Sequence, residues 1–139
     1  MIDQNCIFCK IAAGEIPSAT VYEDEDFRVI MDISPASKGH AIILPKTHAT
    51  NIFEVDDAVA SKIFVVAKKV ATAMKEELNC DGINILQNNG EVAGQTVFHL
   101  HVHLLPRYKG DKISIKWSHQ DKCQDDFASL AKAISARIQ

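Results

Sequence analysis

The run Phe98-His99-Leu100-His101-Val102-His103-Leu104-Leu105 alternates imidazole with hydrocarbon. That is the period of a β-strand, whose successive side chains point to opposite faces. As a strand it places His99, His101 and His103 on one face and Phe98, Leu100, Val102 and Leu104 on the other; a helix would scatter both sets. The chain is therefore expected to hold a sheet in which this strand turns an apolar side to a core and presents three imidazoles on the other. Imidazole, with an ordinary pKa near 6.5, is both a nucleophile and a proton carrier at neutral pH, and a row of three is a poor way to solvate an outer face. The isolated His119 reads as a surface residue.

The rest of the chain supplies partners for such a strand. Cys6 to Ala13 forms a short helical candidate stopped by Gly14, and Thr20 to Tyr22, Phe27 to Met31 and His40 to Leu44 read as strands separated by turn residues. Val59, Ile63, Val66, Val70, Met74 and Leu78 fall on one stripe of a long helix that Asp56 or Asp57 caps and that ends near Asn79. Ile83 to Leu86 is another strand, Gln87 to Val97 a polar loop, and Pro106 is expected to close the histidine strand. Asp125 or Asp126 caps a last helix, 126 to 138, with Phe127, Leu130, Ala131, Ile134 and Ile138 on one side. Strands that follow one another without crossover helices between most of them predict an α+β fold with a largely antiparallel sheet. The 139 residues suit one domain with its own core.

A net charge of −3 gives no field to hold duplex DNA by counterion release, so a nucleic-acid partner is not expected. No run approaches the length of a membrane span, and Met1 to Asn5 lacks the basic start of a signal peptide, which predicts a cytoplasmic protein without a membrane partner. In that reducing setting Cys80 and Cys123 read as structural. Cys6 and Cys9 sit at metal-ligand spacing, leaving three readings: half of a zinc site, a thiol redox pair, or inert core cysteines.

A one-faced histidine row serves a metal cage, general acid/base catalysis, or attack by an imidazole nitrogen. The preceding loop, Gln87-Asn88-Asn89-Gly90-Glu91-Val92-Ala93-Gly94-Gln95-Thr96, offers amides, a hydroxyl and glycines that let backbone N–H groups approach an anion, which suits a phosphoryl group, although such a loop also serves as a plain connector. Phosphate beside imidazole points to a covalent route in which a neutral ring displaces the leaving group and later yields to water. The central His101 is then the natural nucleophile, and His103 the group that holds or protonates what leaves.

The stretch His99-Leu100-His101-Val102-His103-Leu104-Leu105 matches in full the alternation that names the histidine triad (HIT) family. The pieces Ile7-Phe8-Cys9-Lys10-Ile11, Glu15-Ile16-Pro17, Met31-Asp32-Ile33-Ser34-Pro35, Gly39-His40, Leu44-Pro45-Lys46-Thr47-His48 and Gly94-Gln95-Thr96-Val97 resemble its Hint branch, in the same order. The resemblance spans about residues 6 to 107 and leaves 108 to 139 as a C-terminal extension. It implies a HIT-like fold and a homodimer that cleaves nucleoside monophosphate derivatives, typically adenosine phosphoramidates, through a nucleotidyl-histidine on His101. His103 matches the residue at the phosphate and leaving group, and His40 a histidine behind the triad. Asp32 matches the carboxylate on the ribose hydroxyls, Phe8 and Ile33 the surroundings of a purine base. Asn88, Gly94, Gln95 and Thr96 match the phosphate side, with threonine where the branch often has serine.

For the metal reading, the resemblance implies a structural zinc held by Cys6, Cys9, His48 and His99, as in those HIT proteins that carry this cysteine pair, and no organic cofactor. Zinc at His99 would pin the triad segment to the N-terminal segment. The C-terminal extension departs from the shorter Hint pattern, so leaving-group preference does not transfer, and Trp117 reads as core, interface or site lining. Two other functional readings stay open at this stage: a nucleotide-binding regulatory module with incidental turnover, and a hydrolase that uses the triad as metal ligands.

Overall fold

A computed structural model describes residues 1–119 and 126–139. The order is α1 (Ile7–Ala12), β1 (Thr20–Glu23), β2 (Phe27–Met31), β3 (Ala41–Pro45), α2 (Asp57–Leu78), β4 (Gly82–Leu86), a 3-10 turn (Glu91–Ala93), β5 (Val102–Arg107) and α3 (Phe127–Ser135). The strands form one antiparallel sheet in the order β1-β2-β3-β5-β4. The α+β expectation holds, with the long helix, the short N-terminal helix and the added C-terminal helix all present.

The helix α2 forms where the apolar stripe predicts it. The Asp56 carboxylate accepts the Ala58 N–H at 2.8 Å, and Asn79 ends the helix in the left-handed region at φ 49°. Its stripe, Ile63, Val66, Val70 and Met74 with Ala67, buries against Phe27, Val29, Ala41, Ile43, Val102 and Leu104 on one face of the sheet. On the other face Ile30, Ile42 and Leu44 pack against Phe8, Ile11 and Ala12 of α1. Alternation along β3 and β5 therefore assigns the two sides: Ala41, Ile43, Val102 and Leu104 to α2, and Ile42 with its opposite number His103 to the α1 side.

The histidine strand differs from expectation at both ends. The ladder starts only at Val102, because β3 meets β5 over Ala41–Ile43 alone; ahead of it Leu100 N–H donates to the Ala49 carbonyl at 2.7 Å. Leu100 still reaches the α2 core, but Phe98 is 52% exposed and does not join the apolar underside. Pro106 does not close the strand, which runs to Arg107. Its carbonyl points past the end of β3 and accepts the Ser37 hydroxyl at 2.7 Å, so its missing N–H interrupts no ladder bond.

Residues after β5 are held first by Arg107, whose guanidinium donates to Asp111 and to the Ile113 carbonyl. Asp126 caps α3, which ends at Ser135, earlier than the apolar pattern suggests, and Phe127, Leu130, Ile134 and Ile138 are exposed. Cys123, and Asp125 as an alternative cap, lie outside the described residues; Cys80 is buried. Trp117 is 77% exposed, so it is not core.

Candidate active site

His40 sits at the entrance to β3, behind a turn whose Gly39 adopts φ 91° with the Leu78 side chain pressed where a Cβ would stand. The Nδ1 of His40 accepts the Ala36 N–H at 3.0 Å. A neutral ring that accepts at Nδ1 carries its hydrogen on Nε2, and Nε2 lies 2.9 Å from His103 Nδ1. His40 therefore donates to His103, and the hydrogen of His103 falls on its own Nε2. The same reasoning fixes His101: its Nδ1–H donates to the His99 carbonyl at 2.6 Å, which leaves the lone pair on Nε2.

Neither of these Nε2 atoms has a protein partner among the described residues, and neither is sealed in. Among the described residues, the fully enclosed side-chain nitrogen or oxygen without a partner is Arg28 Nε. The two rings stand edge to face with centroids 4.9 Å apart. They thus offer one lone pair and one N–H side by side to whatever enters. Burial lowers the pKa of all three histidines. For His103 burial, with His101 and His40 close by, brings it to about 4; for His40 burial outweighs the opposing pull of Asp32, and for His101 it outweighs both the bond to the His99 carbonyl and the pull of Asp32. The cluster is uncharged at neutral pH.

The other anticipated residues divide. Asp32 lies beside this pair, its Oδ2 3.5 Å from His40 Nε2 and its Oδ1 accepting the Ser34 N–H. Phe8 projects from α1 and meets the His101 ring edge-on at 5.0 Å. Ile33 is 97% exposed, free to meet a ligand and held by nothing. In the loop, Asn88 packs on Gly94, which adopts φ 96°, and donates to its carbonyl at 3.5 Å. Thr96 is exposed and lines a cleft of about 550 Å³ with Asp3, Asn5, Cys6, His48 and Thr50. Gln95 departs from its anticipated place at the phosphate. It is buried, with Oε1 accepting the Gly90 N–H and Nε2 donating to the Thr50 and Val97 carbonyls, so its amide is spent on shaping the loop.

Immediately behind the triad a second group forms. Cys6, Cys9, His48 and His99 bring one donor atom each within 4.8 Å of the others. His99 is fully buried and donates from Nε2 to the Pro45 carbonyl at 2.9 Å, which turns the Nδ1 lone pair toward the thiols. His48 Nδ1 is 3.3 Å from His99 Nδ1, and three sulfur–nitrogen separations, Cys6 to His99, Cys9 to His48 and Cys9 to His99, are 3.4 Å. Tetrahedral zinc, with Zn–N about 2.0–2.1 Å and Zn–S about 2.3 Å, has N···N edges of about 3.3 Å and N···S edges of about 3.5 Å. The four side chains have the donor set and edge lengths of a closed zinc shell. Burial raises the Cys9 thiol pKa, a cost that a bound cation would offset by favouring thiolate.

The groups that sequence reasoning missed are backbone atoms: the Ala36 N–H, the Pro45 carbonyl and the His99 carbonyl. The Ser34-Pro35-Ala36-Ser37-Lys38-Gly39 turn signals that the chain folds back before His40, but no side-chain pattern marks which amide meets the ring.

Residues 13–110 match the HIT domain. Protein hit of Bacillus subtilis is 46% identical over 138 residues, covering 97% of this chain and 95% of that protein. Adenosine 5'-monophosphoramidase HNT1 of Saccharomyces cerevisiae is 37% identical over 139 residues, 99% and 85% of the respective chains. Among solved structures, a HIT family member from Bacillus subtilis superposes with a TM-score of 0.91 at 45% identity, covering 98% of this chain and 99% of the other. A zinc-bound histidine triad family protein from Mycobacterium smegmatis gives 0.75 at 37% identity, with 96% and 98% covered. With the histidine alternation, the antiparallel sheet and these matches in agreement, the chain belongs to the HIT family.

Proposed function

We propose that this protein is a nucleotide hydrolase or nucleotidyl transferase acting on nucleoside monophosphate derivatives, purine nucleoside phosphoramidates such as adenosine 5'-phosphoramidate first among them, through a covalent bond to His101. The observation that carries the proposal is the pair of unpartnered Nε2 atoms, a lone pair on His101 beside an N–H on His103. The yeast relative named adenosine 5'-monophosphoramidase supports the substrate class and the Hint branch.

His101 Nε2 attacks phosphorus and the bond from phosphorus to the leaving nitrogen breaks; His103 Nε2–H hydrogen-bonds that nitrogen, which departs as the amine with a proton drawn from solvent. Water then attacks the nucleotidyl-histidine and returns His101 with release of the nucleoside monophosphate. The uncharged state of His101 at neutral pH means that no strong base is needed first. Asp32 holds the ribose hydroxyls, Phe8 and Ile33 border the base, and Asn88, Gly94 and Thr96 contact phosphate, while Gln95 supports their loop.

Cys6, Cys9, His48 and His99 would hold zinc, which supplies a structural cross-link between α1, the segment after β3 and the triad; the edge lengths above and the zinc-bound Mycobacterium smegmatis relative support this. We extend the reading to one functional unit with its site within about residues 6–107, working as a cytoplasmic homodimer with neither nucleic acid nor membrane as partner. Among the described residues no helix is long and apolar enough to cross a membrane.

The test is to mix the protein with adenosine 5'-phosphoramidate, quench in base and weigh the intact chain. One added adenylyl group, lost in acid and absent from His101→Ala, is expected. Turnover without any adduct, abolished by a chelator, would instead make the triad a metal-ligand set and refute the proposal.

A further inference from the structure

His99 has two ends in two different sites. Its ring belongs to the Cys6, Cys9, His48 cluster, and its carbonyl is the acceptor that fixes His101 Nδ1–H at 2.6 Å. On its C-terminal side that carbonyl is held by Leu100, whose side chain is buried in the α2 core. The β5 ladder begins at Val102, so the His99 backbone lies outside it, tethered by Leu100 N–H to the Ala49 carbonyl, next to the cluster residue His48. The ring makes the remaining anchors, to the Pro45 carbonyl and to the three other cluster side chains. The cluster thus does for this stretch what strand pairing does for Val102 to Arg107.

The second contact of the nucleophile leads back to the same place. Phe8, 5.0 Å from the His101 ring and 6.1 Å from that of His99, stands on α1 between Cys6 and Cys9. A helix of six residues does not stand by its own propensity, and its N-cap is the Cys6 sulfur, which accepts the Cys9 N–H at 3.3 Å. Phe8, Ile11 and Ala12 pack α1 on Ile30, Ile42 and Leu44, and Leu100 packs in the α2 core; the link that joins carbonyl and aromatic wall to each other is the four-residue cluster.

We propose that the Cys6, Cys9, His48 and His99 cluster is a positioning device for the nucleophile, setting the orientation of His101 through the His99 carbonyl and Phe8, and with it the rate of nucleotidyl transfer to Nε2. The statement rests on His101 being the nucleophile. None of the three partners of His99 touches substrate in this scheme. Loss of the zinc shell would leave the His99 carbonyl and Phe8 to wander, and displacements of about an ångström at a reacting group cost on the order of a hundredfold in rate, while loss of supporting interactions at such sites costs about ten- to a hundredfold.

The experiment compares zinc-loaded protein with protein stripped by a chelator, and with Cys6→Ser, in two readouts. One is the single-turnover rate of adenylyl-His101 formation at saturating adenosine 5'-phosphoramidate. The other is the ¹⁵N spectrum of the His101 ring without substrate. Expected in the stripped protein are a rate lower by about ten- to a hundredfold, with KM little changed, and loss of the single Nδ1–H signature, both reversed by added zinc. A folded, stripped protein with His101 resonances and adduct rate within twofold of the loaded form overturns the proposal. Should stripping unfold the chain, cadmium exchanged for zinc keeps a ligand shell with longer bonds, and resonances and rate both unmoved by that exchange overturn it equally. A loaded protein that never forms the adduct sinks the nucleophile reading itself, a result separate from the spectroscopic one.

Discussion

Replacing His40 tests the tautomer chain most directly. The ring is 5% exposed, donates to His103 Nδ1 at 2.9 Å and accepts from Ala36 at 3.0 Å. His40→Ala leaves both partners without their bond, and unmet groups of this kind cost about 1–3 kcal/mol each; since water can reach this polar pocket, a loss of about 2 kcal/mol of stability is expected. His40→Phe fills the space and removes only the hydrogen bonding. The bond to His103 is worth about 0.5–1.5 kcal/mol net, which is the bias holding its hydrogen on Nε2. Without it the productive tautomer falls by about two- to twelvefold, and kcat/KM should fall by the same factor in both variants. Single-turnover adduct formation measures the rate, and ¹⁵N shifts of the His103 ring report where its hydrogen sits. If both variants kept kcat/KM within twofold and His103 stayed protonated at Nε2, the chain of donors from Ala36 to the leaving group would be wrong.

Burial lowers the His101 pKa, so its neutral nucleophilic form persists below the ordinary 6.5 and is lost only as pH falls through the folded value; the acid limb of adduct formation is expected below pH 6.5, and a limb at or above it would contradict the assignment. Stability follows the same sign for His103, since below 6.5 the unfolded chain gains a proton that the folded one refuses until about pH 4; urea midpoints should decline across that window, and a decline no smaller in His103→Phe than in the unaltered chain would count against it. Gly39→Ala meets a φ of 91° and the Leu78 side chain together, and should cost on the order of 1–3 kcal/mol by denaturant titration; a change under about 0.5 kcal/mol would show that the turn relaxes freely. Asp32→Ala is expected to raise KM more than it lowers kcat, because ribose contacts act alike in ground and transition states; a fall in kcat alone would assign Asp32 to the chemistry.

What the sequence discloses here is whatever a side chain does through its own period. The α2 stripe and its Asp56 cap are local, and so is the division of Leu100, Val102 and Leu104 from the imidazoles, which survives even where the ladder does not. Strand limits are not local: β5 begins at Val102 because β3 offers only Ala41 to Ile43 opposite it, and Pro106 fits inside because its polar side faces Ser37 rather than a strand. Gln95 shows the same limit, since an amide able to bind phosphate is equally able to bind three backbone groups of its own loop, and only the fold decides. The chemistry depends on the least legible layer of all. Three histidines in a row specify nucleophile and donor only after the Ala36 amide and the His99 carbonyl have said which nitrogen of each ring holds the hydrogen. Two chains could therefore share the alternation in full and differ in reactivity through the turn before His40 or the anchoring of His99, so the segments 34–40 and 6–9 are where differences in rate should be sought.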